Sequence, residues 1–202
     1  TNYLQMVSEE EPTPMELDQL ALLEGKLQQL AGDFNAAVEA WESVAEGEHR
    51  PSVAHAIMRR VDLLLASKRM KTKEAIEELE RIRFSWRGGD FEFNLLRKLG
   101  RSYLDNQNYR KGLNTLRSAV SFFRGHPAAP EVTQEMVSAF VKIYFTHAGE
   151  NISALRAIAL FDEFKELTPS GDQGDKMIQK LADRLAQVDL LGRAAKLLAN
   201  QV

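Results

Sequence analysis

The sequence predicts an all-α repeat fold: about five helical hairpins stacked in series, the last one cut short. Three observations carry this expectation. Glycine and proline punctuate helical stretches, and no sustained alternating strand pattern appears between them. A small residue followed by larger apolar residues at i+4 and i+7 recurs along the chain. The recurrence keeps a nearly constant interval, which is the signature of a repeat architecture.

Taken in order, the segments read Ala37-x3-Trp41-x2-Val44, Ala75-x3-Leu79-x2-Ile82, Gly112-x3-Leu116-x2-Ala119 and Ala157-x3-Phe161-x2-Phe164, and a fifth begins with Ala194-x3-Leu198. The small residues stand at 37, 75, 112, 157 and 194, intervals of 38, 37, 45 and 37 residues. Positions i, i+4 and i+7 share one helical face. A small residue there lets the preceding helix approach closely, and the larger ones fill the seam. Neither helix of such a pair buries its stripe alone, so the pairs must stack.

The hairpins occupy about 15–50, 51–90, 91–127, 130–170 and 174–202, behind an acidic leader at 1–14. The acidic residues of the Ser8–Pro14 stretch suit a helix N-terminus, where the macrodipole favours negative charge. Breaks fall at 87–90, 124–131 and 168–175, none long or biased enough to be an interdomain linker. Asp175 reads as the N-cap of the fifth hairpin's first helix. Trp41, Tyr103, Tyr109, Phe161 and Phe164 sit at repeat positions and read as core. Trp86 covers the junction between the second and third hairpins, with partner contact as its alternative.

The best-formed hairpin, Leu96-x2-Leu99-Gly100-x2-Tyr103 followed by Tyr109-x2-Gly112-x3-Leu116, resembles the tetratricopeptide repeat. The first hairpin matches through Gly25, Gly32, Phe34, Ala37 and Trp41, but Glu24 and Gln28 replace apolar residues in its first helix. The resemblance covers the chain from about residue 15. It implies a right-handed α-solenoid whose first helices (helices A) line a concave surface, and a non-catalytic scaffold that holds another protein. The stretches Ile82–Asp90 and Leu167–Leu185 are in addition similar to segments of long exported helical-repeat proteins of the Gram-negative envelope. That similarity implies a periplasmic or cell-envelope setting, the cytoplasm being the alternative, and a chain that is a piece of a longer protein. The last helix stops at Val202 without a polar capping helix, leaving an apolar edge at Ala194, Ala195, Leu197 and Leu198 open for end contact or self-association.

Chemistry is excluded more sharply than it is indicated. There are no cysteines, so disulfides, thiolate metal sites and cysteine nucleophiles are absent. His49, His55, His126 and His147 fall in separate hairpins with no metal-ligand spacing and read as surface or cap histidines. No phosphate loop, nucleophile elbow or dinucleotide fingerprint occurs. The Gly171–Asp175 run lacks the alternating oxygen ligands of a calcium loop. No catalytic residue, metal or cofactor is expected, and no apolar run is long enough for membrane insertion. A net charge of −3 advertises no nucleic acid.

Charge is nevertheless patterned. Under the resemblance, Lys26, Arg60, Arg97, Arg101 and Lys142, with Lys98 nearby, fall on the concave side, while the second helices of the first two hairpins carry Glu39, Glu42, Glu46, Glu74, Glu77, Glu78 and Glu80. Guanidinium groups on a rigid wall suit carboxylates, so an acidic peptide is the expected ligand. The competing reading is that these cations are paired along their helices. The family's carboxylate clamp is kept only in a partial, arginine-based form. The rival functions are a structural component packing through the solenoid end and an accessory domain of a larger envelope protein.

Overall fold

The computed structural model describes residues 12–85, 87–146 and 152–199. The expectations placed on Trp86, His147, most of the acidic leader and the chain end lie outside these residues. Ten α-helices and no strand occur among the described residues: α1 (Pro14–Ala31), α2 (Phe34–Ala45), α3 (Arg50–Ala66), α4 (Thr72–Ile82), α5 (Gly89–Asp105), α6 (Tyr109–Phe122), α7 (Ala129–Phe145), α8 (Ala154–Phe164), α9 (Asp172–Gln187) and α10 (Leu191–Ala199). They form two compact units, Thr1–Leu95 and Leu96–Val202, divided inside α5.

In the first unit α1 packs on α2, α2 on α3, α3 on α4, and α1 also touches α3. Contact with both the hairpin partner and the next helix A is how stacked hairpins share their stripes. Thr13 caps α1 in a capping box with Glu16, and Pro14 takes the first turn, where its missing N–H is no loss. Asp33 caps α2 by accepting from the Ala36 N–H at 3.0 Å. The α1–α2 seam rests on Gly25. A Cβ there would lie 2.4 Å from Nε1 of Trp41, so the indole occupies the space a side chain would need. Trp41 is fully buried and donates from Nε1 to the Leu22 carbonyl at 3.3 Å.

In the second unit α6 packs on α7, α8 on α9, α9 on α10, and α7 touches α9. Gly100 and Gly112 let α5 and α6 meet almost backbone to backbone. A Cβ on Gly112 would stand 2.9 Å from the Gly100 carbonyl oxygen, and one on Gly100 2.6 Å from Leu116. Phe140, Tyr144 and Phe161 form an aromatic cluster between α7 and α8, with centroids 5.2 to 6.4 Å apart. The Tyr144 hydroxyl donates to the Ala157 carbonyl at 3.0 Å, tying α7 to α8.

All five small repeat residues, Ala37, Ala75, Gly112, Ala157 and Ala194, are buried. The turns share a device the sequence hides. Gly32, Lys68, Gln107 and Asp189 each adopt positive φ after a helix A. That left-handed residue closes a helix C-terminus and redirects the chain.

Three expectations are corrected. Asp175 is not an N-cap: α9 begins at Asp172 after Gly171, whose φ of 74° admits the chain, and Asp175 lies in the first turn. Gly174 makes this earlier start possible, since a Cβ on it would lie 2.0 Å from the Pro169 carbonyl oxygen. Tyr109 is only half-buried, because it opens α6 at the hairpin's rim rather than standing mid-seam. In the fifth hairpin Ala194 and Leu197, expected on the open apolar edge, turn inward, while Leu198 is exposed.

Candidate functional site: the groove along helices α5 and α7

Two helices A of the second unit, α5 and α7, flank a groove of about 730 Å³. Arg101, Leu104 and Asp105 of α5 form one wall, Glu131, Glu135, Ala139 and Lys142 of α7 the other, and Tyr109 closes one end. The size is that of ordinary ligand clefts. On the other side of Tyr109 a second groove of about 930 Å³ runs past Arg110, Arg156, Leu160 and Glu163.

Glu135 organises the first groove. Its Oε1 accepts from Arg97 Nε at 3.1 Å and its Oε2 from Arg101 Nε at 2.9 Å, and both guanidinium groups add a terminal nitrogen to Oε1. Arg97 reaches further, to Oε2 of Glu131 at 2.8 Å. Burial alone would raise the Glu135 carboxyl, but the hydrogen bonds from Arg101 and Arg97 outweigh it and hold the group below the usual carboxylate range. The Glu135 bonds raise the Arg97 guanidinium in turn, against its own burial. The two arginines and two glutamates balance in formal charge, as do Lys142 and Asp105.

Of the cations predicted for a concave basic face, the structure brings Arg101 and Lys142 to this groove, and Arg97 joins them through the shared Glu135. Lys98 is half-buried on α5 and has polar or electrostatic partners. Arg60 is placed differently. It bridges Glu42 of α2 at 3.1 Å and Glu78 of α4 at 2.9 Å, so it ties two second helices together. Lys26 bonds to Gln29 at 3.0 Å on the exposed surface of α1. The acidic bias of the second helices does not extend to α6, where Arg110 pairs with Glu163 and Arg117 with Glu166 of the second unit.

The predicted end patch is split. Ala194 and Leu197 are buried within their own unit, and Ala195 and Leu198 face outward beside exposed Leu191. Three histidines are engaged locally: His49 with the Ser52 hydroxyl at 2.7 Å, His55 against the Phe91 ring, and His126 accepting from the Ala128 N–H. No group of three His, Asp or Glu able to hold a metal occurs among the described residues, and no helix there is long and apolar enough to cross a membrane.

No family model and no curated protein matches the chain. Solved structures do. Two structures of kinesin-light-chain-like, nearly identical TPR-like repeats from Podosopora anserina, one a point variant, superpose with a TM-score of 0.52 at 18% identity. One match covers 95% of each chain and the other 94% of each. The fold is therefore that of the TPR-like helical-repeat solenoids, as the resemblance of the third hairpin implies.

Proposed function

We propose that this chain is a non-catalytic scaffold that holds a segment of another protein in the groove between α5 and α7. The observation that carries the reading is the groove's lining. Apolar Leu104, Ala139 and Ile143 line the groove among charges of both signs. Such a lining gives an extended or helical segment something to bury against, and the charges fix its register. The acidic ligand expected from Arg97 and Arg101 meets guanidinium groups already held by Glu131 and Glu135. The ligand that fits is a segment of mixed charge, whose acidic residue meets Lys142 and the exposed edge of Arg101. Resemblance of the Ile82–Asp90 and Leu167–Leu185 stretches to exported repeat proteins supports placing this activity in the cell envelope, within a larger protein.

A second reading, assembly through the solenoid end, is favoured by the exposed Leu191, Ala195 and Leu198. Selection of displayed peptides on the immobilised chain separates the two. The groove reading expects an enriched peptide family whose binding falls at least about tenfold in Ser138→Trp, a loss of about 1.4 kcal/mol, and is unchanged in Leu198→Lys. The converse pattern would favour the end.

A further inference from the structure

At about 100° per residue, α1 carries two opposed faces, roughly 180° apart. One bears Ala21, Leu22 and Gly25, which pack into the first unit. The other bears Leu20, Leu23, Leu27 and Leu30, which are 59, 60, 66 and 72% exposed. Singly exposed leucines are ordinary, but four on one stripe are not. Their 3-4-3 spacing is the a/d spacing of a coiled-coil seam. No charged residue interrupts the seam between Leu20 and Leu30.

We propose that two copies of this chain pair through this seam, α1 against α1, parallel and in register. The spacing asks for a helix with the same repeat, and α1 itself is such a helix. A two-fold pair is self-complementary and closes without forming a filament. The flanking residues choose the direction. In a parallel pair Gln19 of one copy lies beside Glu24 of the other, and Lys26 beside Ala31, so no like charges meet. An antiparallel pair would set Glu24 against Glu24 and Lys26 against Lys26. The rest of the first unit lies behind the opposite face of α1, which leaves all four leucines accessible. The seam covers only about two heptads, well short of the roughly 800 Å² per partner of a standard stable interface. The dimer is therefore expected to dissociate in the micromolar range.

The chain lacks cysteine, which permits a clean test on the full chain. In a parallel in-register pair the two residues at position 27 lie within disulfide reach, Cα atoms less than about 7 Å apart. Leu27→Cys should form covalent dimers under mild oxidation at least tenfold faster than Glu39→Cys, an exposed control on α2. Sedimentation equilibrium should show wild-type self-association across the micromolar range. Leu23→Lys with Leu27→Lys should remain monomeric with unchanged helical circular dichroism. Four results would overturn the proposal: a wild type monomeric throughout, equal cross-linking of the two cysteine variants, association appearing only after deletion of residues 1–11, or association that survives the lysine pair and is lost in Leu198→Lys.

Discussion

α1 and α5 are both first helices of a hairpin, and both approach their partners through a glycine: Gly25 against Trp41, Gly100 against Leu116. Their leucines behave oppositely. In α5, Phe93, Leu95, Leu96 and Leu99 are buried, whereas in α1 the seam leucines face outward. The difference teaches that the glycine contact, not apolar content, decides which face of a first helix enters the core. In α1 the ring of Trp41 demands Gly25, and the stripe opposite Gly25 must then face away.

The largest expected effect breaks this comparison directly. Leu99→Ala removes a fully buried side chain and should cost about 2–5 kcal/mol. Leu27→Ala, assayed at high dilution, should stay within about 0.5 kcal/mol of wild type. Denaturant titration measures both, and equal costs would show that the outward stripe is buried after all. Next, Gly112→Ala should destabilise by about 1–3 kcal/mol, because its Cβ meets a backbone oxygen that cannot rotate away. Gly25→Ala should fall in the same range by displacing the indole, reported by a change in Trp41 fluorescence.

Smaller still is the arginine–glutamate cluster. Glu135→Gln should cost about 1 kcal/mol at neutral pH, since the cluster is partly exposed. A carboxyl held low in the fold stabilises above its unfolded value of about 4.3, and loses that contribution as pH falls through the folded value. The gap between wild type and Glu135→Gln should therefore be constant near neutrality and close in acid; a gap that widened in acid would refute the assignment. Smallest, Gln107→Gly should raise stability by about 0.5 kcal/mol by relieving the left-handed turn at φ 59°.

Much of the fold was legible because small residues at i with apolar residues at i+4 and i+7 describe one buried stripe, and residues 37, 75, 112, 157 and 194 carry it. What escaped depended on longer reach or on backbone alone. Lys68 and Gln107 carry no compositional mark of a left-handed turn. The partners of Arg97 lie 34 and 38 residues away, so pairing across neighbouring first helices was invisible to an i, i+4 reading. Arg60 was misplaced for the same reason, its carboxylates standing 18 residues to either side. The leucines of α1 could be counted, but their orientation followed only from the Gly25–Trp41 contact.

The groove and the seam are proposed as separate surfaces with separate roles, and one titration tests that division. A peptide selected on the wild-type chain is titrated against Ser138→Trp and against the Leu23→Lys, Leu27→Lys pair. The account predicts at least a tenfold weaker affinity in the former and an unchanged one in the latter. Retained binding to Ser138→Trp, with loss in the lysine pair, would contradict it.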